Sequence, residues 1–431
     1  MIVAVATAPP AVGITLDRKC LLSVLERAQA AVPTRSYKPI FGGVRLHARD
    51  GVLTLAVTDG EVSLLATLEA DGTLPACVVP CRELIRRMQA SKDPGAVLAL
   101  RSRPQRLIVN GGRVEHALFT FPVDDFPPVP DRWQGEKLVI DPAELHEALA
   151  VASCAMARDT SRYAISGVLL ESDAQGRRLV ATDGHRLVTA ELAQVDARFR
   201  GQAILPARLV KLVEKLTADE DVPLVLAVQT NTTDKGDKLP ADLFVAGPRW
   251  LVACQEVDGR FPVYRDIVPA SASRFAMARQ PLVETLRQVM LATGDCTRGV
   301  ALTLRPRSIE LSASSPEVGS ASAKLPARFL GGGDSVIHTG FDPKLLLEAV
   351  QTLSGDAVVL DVAQNGYAPD HTVYSKAALL SEAPNQGGNG AEGNAAESSR
   401  VRWVVMPLNM GYPATREYLG TNFREELDHA G

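Results

Sequence analysis

The sequence predicts an α+β chain built from three tandem, similar domains, and two observations carry that prediction. The first is a segment of roughly forty residues that recurs three times, an architectural statement when the period is a domain's length. Copy one opens with Leu16-Asp17-Arg18-Lys19, runs through Leu21, Leu22, Leu25 and Ala28 at helical spacing, and reaches Thr58-Asp59-Gly60. Copy two opens with Ile140-Asp141-Pro142-Ala143, runs through Leu145, Leu149 and Ala152, and reaches Thr182-Asp183-Gly184; both landmarks lie 124 residues beyond those of copy one. Copy three opens at Met277, 137 residues after Ile140, continues through Leu282, Leu286 and Val289, and ends in Ser314-Ser315-Pro316 without the triplet. The second observation is alternation of apolar and polar residues, as in Val52-Leu53-Thr54-Leu55-Ala56-Val57 and Val168-Leu169-Leu170-Glu171, with turn dipeptides Asp50-Gly51 and Asp59-Gly60. Too few helices separate these strands for a parallel sheet, so the sheets are expected to be largely antiparallel.

Each domain is expected to read helix, strands, helix, strands. The first helix of each follows the openings above. The second follows Val79-Pro80, Leu205-Pro206 and Asp342-Pro343, and the last two of these pairs again stand 137 residues apart. Proline-bearing stretches at Phe126-Pro127-Pro128-Val129-Pro130 and Phe261-Pro262-Val263-Tyr264 mark the junctions. The expected division is an extension over 1–12, domains over 13–135, 136–266 and 267–410, and a tail over 411–431. Residues 381–400, rich in Gly, Asn, Ala and Ser, form a low-complexity insertion expected to be disordered, since that composition supports no core.

Bulk properties narrow the function. A chain of 431 residues suits three domains at about 150 residues each. Its 46% apolar and 22% charged residues are those of a globular protein. It lacks a run of about 18 uncharged apolar residues, so a membrane span is not expected. Met1-Ile2-Val3-Ala4-Val5-Ala6 has no basic stretch before it, so a cytoplasmic protein without a secretory signal is expected. Cys20, Cys77, Cys81, Cys154, Cys254 and Cys296 follow no disulfide or zinc spacing; reduced thiols, no metal and no cofactor are expected.

Two helices carry the first chemical clue. After Pro206, Leu209, Leu212, Val213 and Leu216 share one face while Arg208, Lys211 and Lys215 lie on another. After Pro80, Leu84, Ile85 and Met88 face inward and Arg82, Arg86 and Arg87 outward. Basic faces repeated at equivalent positions, in a chain of net charge −4, suit a polyanion's phosphates. Such contacts read no base sequence.

Catalytic motifs fail on inspection. Asp183, His185 and Ser166 invite comparison with a hydrolase triad, but no serine sits in a Gly-x-Ser-x-Gly elbow. Thr-Asp-Gly is turn chemistry, and copy one has it with Glu61 in the histidine's place. Gly388, Gly390 and Gly393 match a dinucleotide fingerprint only within the low-complexity insertion, without a flanking strand or helix. A non-catalytic protein is expected.

Four motifs in order then identify a family. Arg162-Tyr163-Ala164-Ile165-Ser166-Gly167-Val168-Leu169, Val180-Ala181-Thr182-Asp183-Gly184-His185-Arg186-Leu187, Asp258-Gly259-Arg260-Phe261-Pro262 and Val404-Val405-Met406-Pro407-Leu408 closely resemble the bacterial DNA sliding clamps, the beta subunits of DNA polymerase III. The resemblance covers about residues 13–410. It implies the processivity fold, a head-to-tail homodimer whose domains close a ring, helices lining the hole and sheets outside. The basic faces of Arg82, Arg86, Arg208, Lys211 and Lys215 would then meet duplex DNA, and family positions that touch DNA match Arg35 and Tyr163. It also implies a pocket for a short linear peptide from the replicative polymerase, the clamp loader, repair polymerases and ligase-type partners. Its matching positions are Ile165, Thr182, Gly184, His185, Arg186, Leu187, Pro262, Ile267, Val404, Val405, Met406, Pro407 and Leu408. The dimer contact is expected at Leu118, in an edge strand of domain one, and Leu291, in the first helix of domain three.

Some positions depart from the family pattern. Asp266 stands where a basic residue is common, Thr297 replaces an aromatic, and Asp342 and Leu345 replace an asparagine and a tyrosine. The altered pocket edge and the added tail suggest one alternative, a clamp paralogue or decoy that binds partner peptides without being the main replication clamp. The tail, Gly411 to Gly431, carries Tyr418, Leu419 and Phe423 and starts at the pocket's edge. If it folds back over the pocket, deleting residues 411–431 raises the affinity for a polymerase-derived peptide; unchanged affinity refutes it.

Overall fold

A computed structural model describes residues 12–33, 38–102, 105–111, 114–158, 163–193, 198–233, 238–269, 273–294, 298–333, 335–362, 366–367, 373–374, 377–383 and 399–408. Helices α1 (Arg18–Ala28), α2 (Cys81–Ala90), α3 (Pro142–Ala155), α4 (Ala207–Thr217), α5 (Arg279–Val289) and α6 (Pro343–Thr352) fall two to each repeat. Their starts follow local chemistry. Asp17 accepts from the Cys20 amide (2.7 Å), Asp141 from Glu144 (3.0 Å) and Asp342 from Lys344 (2.8 Å), each satisfying an orphan donor of a first turn. The first bond also holds the Asp17 carboxyl below its ordinary range. Helices α2 and α4 instead begin after Pro80 and Pro206, whose rings fix φ near the helical value. Asp342, which replaces the family's common asparagine, thus acts as a helix cap.

The strands are antiparallel, and the joins between repeats are made by strand pairing. Trp250–Gln255, from the second repeat, pairs with Val62–Glu69 of the first, in register from Trp250 opposite Ala66 to Cys254 opposite Val62. Val401–Val405, from the third, pairs with Arg186–Leu192 of the second, Arg186 opposite Val405 and Leu187 opposite Val404. Either edge left open would present a row of unpaired N–H and C=O groups. The chain consequently divides into two compact units, 1–149 with 170–175 and 193–259, and 150–169 with 176–192 and 260–431. In the first unit the strands run in the order Glu136–Ile140, Leu224–Thr232, Lys238–Ala246, Trp250–Gln255, Val62–Glu69, Val52–Thr58, Gly43–Arg49 and Leu74–Pro80. In the second the order includes Gly176–Thr182, Arg186–Leu192, Val401–Val405, Ala378–Glu382, Ala357–Val362, Ser273–Ala278 and Arg328–Gly332.

Packing follows the apolar spacing read in the sequence. Leu21, Leu25 and Ala28 of α1, Leu84, Ile85 and Met88 of α2, and Leu209, Leu212, Val213 and Leu216 of α4 are all buried. In the first unit, α3 and α4 meet through Leu145, Leu149, Leu209, Val210 and Val213 over Leu226 and Val245 of the sheet. The proline-bearing junctions are pinned by buried Phe126, which packs with Ile40, Phe41, Ala56 and Val78, and by buried Phe261 and Tyr264.

One boundary needs correction. Residues 381 and 382 complete the strand Ala378–Glu382, and Ser381 is buried, so they are no part of the insertion. Ser399 is buried too, accepting from the Glu382 amide (3.3 Å) and donating to the Val401 carbonyl (2.7 Å). What remains of the insertion, 384–398, lies outside the described residues, as do residues 1–11 of the extension and the tail over 411–431; Val12, expected in the extension, instead opens the strand Val12–Asp17. Among the described residues no helix is long and apolar enough to cross a membrane, and no His, Cys, Asp and Glu cluster is suited to a metal ion.

Burial raises the Cys77 and Cys81 thiols to about 12 and raises that of Cys254 as well. Thiols so placed stay protonated at neutral pH and are poor nucleophiles. At pH 8, iodoacetamide is therefore expected to label the exposed Cys20 slowly, its thiol being raised by the Asp17 hydrogen bond. Cys77, Cys81 and Cys254 should react only after denaturation, as read by peptide mass spectrometry.

Candidate docking site and basic helix faces

The Thr-Asp-Gly turn is built the same way in both repeats that hold it. Asp59 Oδ1 accepts from the amides of Glu61 and Val62 (both 2.8 Å), and Asp183 Oδ1 from those of His185 (2.9 Å) and Arg186 (3.0 Å). Thr58 Oγ1 and Thr182 Oγ1 each accept from the following glycine amide (both 3.1 Å) and donate to the carbonyl of Val62 and Arg186 respectively. Gly60 and Gly184 stand at φ 94° and 90°, where a side chain would be strained. In the first repeat the turn is also filled, because a Cβ on Gly60 would lie 3.2 Å from the Phe41 ring.

The two turns differ in how the aspartate is neutralised. Asp59, with a side chain 3% exposed, is ion-paired to Arg208 of α4. Asp183 Oδ2 accepts from Arg186 Nε (3.1 Å) on its own strand. The Arg186 guanidinium is itself buried. It donates through Nη1 to Glu348 Oε2 of α6 (2.6 Å) and through Nη2 to the Cys154 carbonyl near the end of α3, and it lies 5.6 Å from the Trp403 ring. The Trp403 indole, fully buried, donates to Thr352 Oγ1 of α6 (2.9 Å). A cation so enclosed is stable only because two carboxylates and a carbonyl meet it.

The expected pocket residues therefore separate into a buried set and an exposed set. Strand register brings Thr182, Leu187, Val404 and Val405 together, and all four are buried, as is Ile165, whose carbonyl accepts from Ala157 (3.0 Å). Arg186 belongs to the buried set, since its donors are taken up internally. Gly184 and His185 are exposed, and the His185 carbonyl accepts from the Met406 amide (2.9 Å). Met406 is 41% exposed, Pro407 and Leu408 are half-buried, and the Leu408 amide donates to the Gly340 carbonyl (3.0 Å). Pro262, Asp266 and Ile267 are exposed around Tyr264, whose hydroxyl accepts from Arg178 of the 176–182 strand (3.5 Å). Leu345 is half-buried on α6. The arrangement offers exposed apolar side chains beside a histidine and a buried ion network; it suits apolar anchoring, not bond chemistry.

The basic faces need a similar sorting. Arg82, Lys211 and Lys215 are exposed. Arg86 is exposed but bonded to Glu83 (2.8 Å), and Arg87 is half-buried, bound to the Glu83 carboxylate (2.5 Å) and carbonyl (2.7 Å), so it does not belong to the outward face. The Arg87 bond is the leading reason that the Glu83 carboxyl is held below its usual range. Arg208 is exposed but ion-paired to Asp59, a contact that no local pattern announces. Tyr163 opens the short turn Tyr163–Ile165, while Arg35 and Thr297 lie outside the described residues.

At the expected dimer positions, Leu118 does lie in a strand at a sheet edge, Val114–Phe119, but its side chain is 3% exposed. Val114 and Phe119 are its exposed large apolar residues, Phe119 with the Arg106 guanidinium 4.0 Å from its ring. Leu291 is 74% exposed and sits in a 3-10 turn, Met290–Ala292, following α5 and not in the helix itself.

Three family models match the chain in tandem: the N-terminal domain of the DNA polymerase III beta subunit over residues 12–130, the central domain over 139–263 and the C-terminal domain over 265–367. The beta sliding clamp of Vibrio cholerae is 31% identical over 353 residues, which span 80% of this chain and 91% of that protein. That of Escherichia coli is 26% identical over 350 residues, with the same shares. A crystal structure of the DNA polymerase sliding clamp from Pseudomonas aeruginosa superposes with a TM-score of 0.77 at 25% identity, covering 92% of this chain and 100% of that one.

Replacing Asp59 or Asp183 by Ala removes two amide hydrogen bonds and one ion pair from each turn. Each substitution is expected to lower stability by about 1–3 kcal/mol in urea titrations. Loss of Asp183 leaves Arg186 held by Glu348 and the Cys154 carbonyl.

Proposed function

The chain belongs to the DNA polymerase III beta-subunit family, the beta sliding clamps, and we propose that it closes as a head-to-tail homodimer around duplex DNA in the cytoplasm. It is a sliding clamp, a non-catalytic processivity factor of DNA replication. Nothing in its fold or its relatives favours the decoy alternative.

Lys211, Lys215 and Arg82 carry the contact with DNA, since they are exposed and form no ion pair among the described residues. Arg86 adds a screened charge, and Arg208 chiefly braces the Asp59 turn. A topological link makes a tight phosphate grip unnecessary; weak contacts, screened by salt, hold the duplex centred and permit sliding. Leu291, together with Val114 and Phe119 on the edge strand, supplies apolar surface for the dimer contact, and Leu118 fixes that strand from below.

The replicative polymerase, the clamp loader, repair polymerases and ligase-type partners dock through a short peptide with apolar anchors. The observation that carries this reading is the placement of exposed Met406 and His185 side by side, their backbones bonded, over a floor of Leu187, Val404 and Val405. Burying one such anchor contributes about 1.5–3 kcal/mol, which is why two or three suffice for a transient tether.

The test loads the protein onto nicked circular DNA and then linearises it. A dimer that is retained on circles and released from linear DNA supports the reading; a monomer, or release independent of topology, overturns it. Replacing Arg82, Lys211 and Lys215 together by Ala is expected to shorten residence on circles at low salt while leaving the dimer's mass unchanged.

A further inference from the structure

Arg186 occupies a position expected to meet the docked peptide, yet its geometry assigns it another task. Its Nε faces Asp183 at 3.1 Å, Nη1 faces Glu348 at 2.6 Å, and Nη2 is bonded to the Cys154 carbonyl. The side chain is 5% exposed, and the Trp403 ring lies 5.6 Å from its Cζ. Every nitrogen of the guanidinium thus has a partner within the chain, and little of the group remains for a ligand.

The same bonds determine where the rim stands. Asp183 receives the guanidinium through Oδ2 and, through Oδ1, the amides of His185 and Arg186, so the turn's shape and the arginine's position are fixed together. The His185 carbonyl then accepts from the Met406 amide. On the other side Glu348 ties the network to α6, the helix that also receives the Trp403 indole through Thr352. Glu348 is the outermost member, its side chain 44% exposed, and it is not among the positions that the family resemblance assigns to the pocket. It lies 162 residues from Arg186 in sequence.

We propose that Glu348 is a positioning residue of the docking site: it holds Arg186, and through Asp183 the turn, so that His185 and Met406 stand in one fixed arrangement, without itself touching the peptide. The proposal rests on the docking reading above. Its mechanism is preorganisation, since a rim already held in place loses less freedom on binding. Removing Glu348 leaves Arg186 two partners instead of three and lets the turn and the 406 segment move apart.

Glu348→Ala and Glu348→Gln separate this from direct contact. The probe is a fluorescein-labelled peptide with a leucine and a phenylalanine anchor, titrated against the full-length dimer. Glu348→Ala is expected to weaken it about tenfold, mainly through faster dissociation. Glu348→Gln retains an oxygen for the guanidinium and should recover most of that loss. The difference between the variants should persist at high salt, because the pair is largely shielded from solvent at the arginine. Hydrogen exchange at the Met406 amide should quicken in Glu348→Ala, while the dimer mass stays at the wild-type value and Glu348→Gln recovers most of any fall in melting temperature.

Three outcomes overturn the proposal: equal affinity in wild type and Glu348→Ala; equal loss in Ala and Gln that vanishes with salt, which marks a direct charge contact; or exchange at Met406 that does not change. Failure of the wild-type protein to bind the probe refutes the docking reading instead, and that result is read before any variant is compared.

Discussion

An open strand edge presents unpaired N–H and C=O groups, and in this chain two such edges are closed by joining neighbouring repeats. Trp250–Gln255 closes the edge offered by Val62–Glu69, and Val401–Val405 closes that of Arg186–Leu192. Each join lays the strand that follows a Thr-Asp-Gly turn against a strand of the next repeat. The turn is consequently presented at a junction and is fixed in place by residues from elsewhere in the chain. The proposed docking site depends on the second join, because it is the register of Arg186 opposite Val405 that sets His185 beside Met406.

The two junctions use the same backbone and different charges. In the first, the helix of the following repeat brings a cation, Arg208, to the turn's aspartate. In the second, the cation is on the strand itself and the helix brings an anion, Glu348. The position equivalent to Arg208 in the third repeat, 137 residues on, is Leu345, which reaches for no carboxylate. One junction is thereby filled by a long ionic side chain, and the other keeps apolar groups at its surface. This is a physical reason for the proposed docking site to lie at the second junction and not at the first.

Much of this architecture was legible in the sequence because it depends on local rules. Asp17, Asp141 and Asp342 cap helices within three residues, Pro80 and Pro206 begin them, and Thr-Asp-Gly closes on its own backbone. The apolar spacing of α2 and α4 named their buried faces correctly. What spacing alone could not reveal were contacts between distant segments. Asp59 and Arg208 are 149 residues apart, so a helix that reads as a free basic face in fact has one cation tied to a buried carboxylate. Arg87 went the same way through an i,i+4 pair with Glu83, which the pattern could have flagged. Arg186 and Leu118 illustrate a further limit: resemblance assigns a position to a surface, whereas burial decides whether the side chain or only its backbone is there.

The two compact units do not coincide with the three repeats, since each unit contains strands from neighbouring repeats. The segment that duplicated and the segment that folds are therefore out of phase. A gene fragment cut at a repeat boundary would encode a polypeptide with one sheet lacking its closing strand, prone to pairing with any other open edge. Excising a single repeat would therefore lay bare a strand edge that its neighbour now closes.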